Sequence, residues 1–231
     1  MSDAVPFRTD RRTGALRAPR NTAPVGAGPW DVKRVHPPLY GPKNRDWELV
    51  QVPAQRFIAV DGTGDPNTAP AYTEAVESLY AVAYAIKFAG KRALGREMVV
   101  APLEGLWYAD DASVFTADAK AQWKWTLLIS QPDWVTDAAI AEAIAGALAK
   151  KKLPALARVR VDTLDEGLSA QVLHLGPYAD EAPILARLHD EYLAEHGLRM
   201  NGLHHEVYLG DPRRAAPANL KTVLRQPVAP A

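Results

Sequence analysis

The chain repeats itself once, and that echo constrains its fold more than any other feature. Strand, glycine–proline turn, helix, strand, strand describes Arg56–Ile129, and the same order describes Leu168–Arg225. Details recur inside the frame. Leu106-Trp107-Tyr108-Ala109-Asp110 parallels Val207-Tyr208-Leu209-Gly210-Asp211, which sets Trp107 against Tyr208. Thr126-Leu127-Leu128-Ile129-Ser130-Gln131-Pro132 echoes Thr222-Val223-Leu224-Arg225-Gln226-Pro227. The period is too long for a solenoid, so the pattern is a two-fold duplication. Each unit has a sheet with one face under its own helix and the other face open. The expected fold is α+β: duplicated strand-helix-strand-strand modules with pseudo-two-fold symmetry. Two open sheets facing each other would enclose a cleft, a usual place for a small molecule.

The stretch Leu203–Pro212 points to what such a cleft does. It alternates like a strand and ends in a turn, so His204, Glu206 and Tyr208 share one face. Leu203, His205, Val207 and Leu209 share the other, which is mostly apolar and suits a core. A carboxylate in mid-strand between an imidazole and a phenol is an expensive choice. If that face is buried, something must compensate Glu206, and a bound ligand is one candidate.

Around these strands the elements are readable. Residues 1–29 are rich in Arg, Ala, Pro and Gly without apolar period and read as a disordered tail. Arg8–Arg12 could touch phosphates, but a solvated tail is the better reading. Module one spans about 48–132, a linking helix about 136–151, and module two about 158–228, all within a domain 30–228. Asp61-Gly62-Thr63-Gly64-Asp65-Pro66-Asn67 reads as a turn and helix cap, since it lacks the lysine of a phosphate loop. Tyr72, Val76, Leu79, Tyr80, Ala83 and Ile86 then predict a helix to about Phe88. Thr136 caps the linking helix, and Lys150-Lys151-Lys152 suits its C-terminus.

Composition narrows the partners. Lys plus Arg equals Asp plus Glu at 27 each, so no global basic field draws the protein to nucleic acid or anionic lipid. There is no cysteine, which excludes disulfides, thiolate metal sites and cysteine nucleophiles. No apolar run approaches a membrane span, and no secretory signal is visible. The expectation is a cytoplasmic protein that takes a small-molecule ligand, without direct nucleic-acid binding or membrane attachment; a protein partner is not readable.

Six segments in order resemble the GyrI-like family, which shares a fold with effector-binding domains of AraC- and MerR-type regulators. They are Pro38–Tyr40, Asp61–Asn67, Pro102–Trp107, Leu173–Tyr178, His204–Tyr208 and Leu220–Pro227, together spanning roughly Asp31 to Val228. The resemblance implies a cleft for bulky, often aromatic or cationic compounds, with Glu206 at the matching position of a cleft glutamate. Some stand-alone members hydrolyse cyclopropane-containing alkylating compounds. No convincing helix-turn-helix segment precedes Trp30, unlike the regulators.

The candidate site follows. Glu206 is the cation partner or the base for water, and Tyr208 the hydrogen-bond donor to a developing anion. Trp107 shares a face with Gly105, and a glycine beside an indole leaves room for a flat ligand. Trp123 and Trp125 share a face on the neighbouring strand, so at least one completes an aromatic wall, with Trp125 as the ligand-binding candidate, and the other is equally open to a core role. Glu104 falls on the face opposite Trp107 unless a bulge intervenes, so both a site role and a surface role stay open. His174 and Tyr178 flank the turn of module two as ligand-binding candidates, as does His204. Adjacent strand residues face opposite ways, so His204 and His205 cannot grip one ion, and no metal is expected. The Gly-x-Ser-x-Gly elbow of serine hydrolases is missing, and the chemistry envisaged needs no cofactor. Three functions are compatible: sequestration of a hydrophobic compound, hydrolysis of a strained electrophile, or action through a protein partner.

Overall fold

Two leading strands exchanged between the halves tie the molecule together. The computed structural model of the chain describes residues 28–111, 119–212 and 214–231. The tail up to residue 27, including Arg8–Arg12, and most of the polar loop after Asp110 lie outside the described residues. Strands β1 (Glu48–Val52), β2 (Gln55–Thr63), β3 (Leu103–Tyr108) and β4 (Lys124–Gln131) belong to the first half by sequence. Strands β5 (Arg160–Leu164), β6 (Gly167–Leu175), β7 (Leu198–Met200), β8 (His204–Tyr208) and β9 (Lys221–Pro230) belong to the second. The strands join in the order β1-β6-β9-β8-β3-β4-β2-β5, with β7 beside the end of β9. That order is palindromic: β3 meets β8 at the centre, then β4 matches β9, β2 matches β6, and β5 matches β1. Yet β1 pairs with β6 of the other half, and β5 with β2.

The duplication is therefore present, but its halves meet side by side rather than sheet against sheet. The facing-sheet arrangement expected from the sequence is corrected by the β3–β8 ladder, which runs Leu103↔Tyr208 to Trp107↔His204. Hydrogen bonding two strand edges removes the unpaired N–H and C=O rows that each half would otherwise expose. The pseudo-two-fold axis passes at Gly105↔Glu206, the central pair of that ladder.

The helices of both halves lie on one side of this sheet. Helix α3 (Pro70–Leu94) buries Ala75, Leu79, Val82, Ala83 and Ile86 against Ile58, Val60, Leu127 and Ile129. Those positions recur at helical spacing, which is why the segment folds as it does. The helix runs past Phe88 because Gly90 does not stop it. A Cβ there would lie 3.0 Å from the Trp134 ring, so the glycine serves a close approach. Gly95, at φ 62°, ends the helix in the left-handed conformation. In the second half, α5 (Ala182–Arg187), a π-helical turn (Leu188–Tyr192) and α6 (Leu193–Glu195) follow one another without a break. Its Leu188, Tyr192 and Leu193 pack on Ala170, Val172 and Leu224. By register these residues share the side on which α3 lies. Helix α4 (Asp137–Lys150) packs against α3 and is capped by Thr136, whose hydroxyl accepts from the Ala139 N–H at 3.2 Å.

The opposite side of the sheet receives the arm before β1. This arm contains two single-turn helices, α1 (Val32–Val35) and α2 (Pro37–Tyr40). Leu39 and Tyr40 are buried there. No helix among the described residues is long and apolar enough to cross a membrane.

Candidate functional site

Strands β3 and β8 form the floor between the two helices. Residues directly opposite in an antiparallel ladder project to the same face. Gly105 with Glu206, Trp107 with His204, and Leu103 with Tyr208 thus look toward the gap between α3 and α5. The Glu206 side chain is 14% exposed, and its Oε1 lies 3.4 Å from His204 Nε2. Trp107 Nε1 donates to the Tyr208 hydroxyl at 3.0 Å, crossing above Gly105. An indole N–H can only donate, so the phenol oxygen accepts. The phenol's own proton is then left for the Glu206 carboxylate, with which Tyr208 is also hydrogen-bonded. Burial first, and then the Glu206 charge, push the Tyr208 hydroxyl well above its usual value.

Aromatic rings close over this floor from the first half. Tyr72, in the first turn of α3, stacks on Trp107 at 6.3 Å and 21°, and meets Trp125 edge-on at 5.2 Å. Trp123 meets Trp107 edge-on at 5.6 Å. Burial and then Glu206 raise the Tyr72 hydroxyl. From the second half, Tyr178 meets Tyr208 edge-on at 5.6 Å. Its hydroxyl is pushed up to about 12 by burial, then by Glu206 and Glu181.

Glu181, at the start of α5, is the residue that sequence reasoning missed. It is 6% exposed, and its carboxyl is pushed up to about 9 by burial first and by Glu206 second. The asymmetry of the duplication explains its place. Trp107 is opposite Trp125 in β4, whereas its counterpart Tyr208 is opposite Thr222 in β9. The registers set Thr222 against Trp125, one residue out of step with the sequence echo that set it against Thr126, so a small hydroxyl stands where the first half has an indole, and Glu181 lies by Thr222. The available signal was the acid at the end of the Gly176–Glu181 turn, which otherwise reads as an ordinary helix-start carboxylate.

The other predicted residues divide. Trp125 has no exposed surface, and its Nε1 donates to the Gly64 carbonyl at 3.2 Å. A Cβ on Gly62 would meet its ring at 2.0 Å, so Trp125 is the core tryptophan and Trp123 the wall. The space above Gly105 is already used: a Cβ there would lie 3.1 Å from Trp107 Nε1 and 3.2 Å from the Tyr208 oxygen. The glycine makes room for that hydrogen bond, not for a free slot. His174 is buried, with Nε2 3.1 Å from the Pro177 carbonyl, which steadies the turn carrying Tyr178.

Glu104 lies on the opposite side of the sheet, with no bulge to bring it round. The face expected to be mostly apolar holds a buried ionic network there. Tyr40 donates to Glu104 Oε1 at 2.8 Å, and Glu104 Oε2 lies 3.0 Å from His205 Nε2. His205 Nδ1 lies 2.9 Å from Glu166 Oε1, and Arg225 Nη1 lies 2.9 Å from Glu166 Oε2. Arg225 also donates to Gln171 Oε1 and to the Leu39 carbonyl. Burial opposes the His205 charge, but Glu166 and Glu104 raise its pKa to about 9. Burial likewise opposes the Glu166 charge, yet His205 and Arg225 hold its pKa at about 2. Two acids and two bases cancel, as a fully buried set requires.

Two concavities lie away from Glu206. One of about 330 Å³ is lined by Thr63, Asp110, Gln122 and Lys124, and one of about 210 Å³ by Leu106, Glu166, Asn201 and Pro227. The space beside Glu206 holds the rings of Tyr72, Trp107, Tyr178 and Tyr208 instead.

The fold is shared with known proteins. The family model of the GyrI-like small molecule binding domain matches residues 45–229. The chain is similar to an uncharacterized conserved protein from Listeria innocua, with 37% identity over 86% of this chain and 99% of that one, at a TM-score of 0.79. It is similar to a hydrolase from Listeria innocua, with 37% identity over 86% of this chain and 99% of that one, at a TM-score of 0.74. A further Listeria innocua hydrolase structure is 36% identical over 87% of this chain and 100% of that one, at a TM-score of 0.78. No curated protein matches the chain. A family match over most of the length, a sheet duplicated about Gly105 and Glu206, and likeness along the whole of these relatives lead to one conclusion: the chain belongs to the GyrI-like small-molecule-binding family.

Proposed function

We propose that the protein is a cofactor-independent hydrolase that opens cyclopropane-containing electrophiles with water. The observation that carries this reading is Glu206: a carboxylate at mid-strand, 14% exposed, next to His204 and Tyr208 and beneath a wall of indoles. The similar Listeria proteins described as hydrolases support it. A flat substrate enters by parting Tyr72 and Trp123 from Trp107 and lies against the indole. Glu206 takes a proton from water as the water oxygen bonds to a ring carbon. The ring C–C bond breaks, and its electron pair moves through the conjugated system to the carbonyl oxygen. Holding water and substrate together replaces a bimolecular encounter, which is the largest gain available without a cofactor.

Sequestration of a bulky aromatic cation in the same cleft is the second reading. The Tyr72–Trp107–Trp123 cluster beside Glu206 favours it, since a cation gains from both ring faces and carboxylate. Incubation with a spirocyclopropyl cyclohexadienone, followed by mass spectrometry, separates the two. Ring-opened product that vanishes in Glu206→Gln supports the hydrolase. Saturable binding without product supports sequestration.

A further inference from the structure

We propose that Glu181 is the acid partner of Glu206, the carboxyl that hands a proton to the substrate oxygen while Glu206 takes one from water. The assignment rests on the hydrolase reading above and extends it to a second catalytic residue. Ring opening by water leaves negative charge on the carbonyl oxygen, and something must deliver a proton there. Tyr208 is the obvious donor from its strand position, but its proton is engaged by Glu206, with Trp107 Nε1 donating to its oxygen. Glu181 Oε1 is buried in a residue 6% exposed, with no counter-charge and only the Thr222 hydroxyl beside the carboxyl. It stands at the start of α5 in the place opened by Thr222, within electrostatic reach of Glu206.

Glu206 from β8, Thr222 from β9 and Tyr178 from the preceding turn act on it, and by register His204 and Tyr208 of β8 and His174 of β6 project from the same face of the sheet. Two carboxyls that cannot both ionise cheaply divide into an acid and a base. Proton affinity agrees, because burial and the Glu206 charge keep Glu181 protonated up to about pH 9. The step balances. The water oxygen bonds to carbon, the ring C–C bond breaks, and its pair reaches the carbonyl oxygen. That oxygen takes the Glu181 proton, and Glu206 holds the proton from water. Transfer of that proton back to Glu181 resets the pair.

The test is turnover of a spirocyclopropyl cyclohexadienone across pH. Wild-type kcat is expected to fall as pH rises through about 9, because the acid is lost. In the isosteric Glu181→Gln, kcat drops about 100-fold and that alkaline limb disappears. In Tyr208→Phe the limb persists at whatever rate remains. An unchanged limb in Glu181→Gln, or its loss in Tyr208→Phe, overturns the assignment of Glu181 alone. Absence of wild-type ring opening at every pH overturns the hydrolase reading and the acid's role with it.

Discussion

On one side of β3 and β8, His205 sits between Glu104 and Glu166, and Arg225 completes the charge balance. On the other side, Glu206 and Glu181 stand with His204, Tyr208 and Thr222 as neighbours. The same two strands thus carry acids and histidines on both faces. Where every charge has a counter-charge, the groups bind the arm, the link between β5 and β6, and the sheet together. Where two acids share one region, a proton or a cation is the missing partner. Burial alone does not distinguish the two faces; incomplete compensation does.

The contrast can be broken by mutation. Arg225→Met leaves Glu166 short of a counter-charge in the interior, and a cost of about 3–5 kcal/mol is expected from denaturant unfolding. A loss below 1 kcal/mol would show that the network does not hold the fold. Glu206→Gln is expected to keep stability near wild type while ring opening falls about 100-fold or more. Equal loss of stability and turnover would erase the distinction between the faces. Gly105→Ala pushes a methyl into the Trp107–Tyr208 hydrogen bond, at a cost of about 1–3 kcal/mol, and lowers turnover with it. A variant with full stability and full turnover would show that the contact across the axis is dispensable.

The smallest effects are in pH. His205 rises from 6.5 to about 9 on folding, so its stabilisation is full below 6.5 and is lost as pH rises through about 9. Glu166 falls from 4.5 to about 2, so its stabilisation is full above 4.5 and is lost as pH drops toward 2. Glu181 rises from 4.5 to about 9, so folding is penalised progressively as pH climbs above 4.5. Glu181→Gln removes that penalty, and urea unfolding at pH 8 is expected to show a gain on the order of 1 kcal/mol. A loss there would place Glu181 among the compensated groups instead.

Much of the fold is legible in the sequence, for identifiable reasons. Period-two alternation fixed Glu206, His204 and Tyr208 on one face, and the Thr136 cap fixed the start of α4. What alternation cannot decide is whether two half-sheets meet by faces or by edges, because both place the same side chains together. The network around Arg225 stayed hidden because its members come from β3, the β5–β6 link, β6, β8, β9 and the arm. Glu104 stayed open between a site role and a surface role for the same reason: its partners Tyr40 and His205 are distant in sequence. Glu181 was obscured by local chemistry, since an acid beginning a helix has a common explanation of its own.

The exchange of β1 and β5 sets how the polypeptide can be divided. β1 finishes the edge of the second half, and β5 finishes the edge of the first. A cleavage between α4 and β5 would therefore release two fragments, each missing an outer strand and each having lost the central ladder to its neighbour. Such fragments would reassociate to recover the native sheet, and the chain must bring distant segments together before either half is complete.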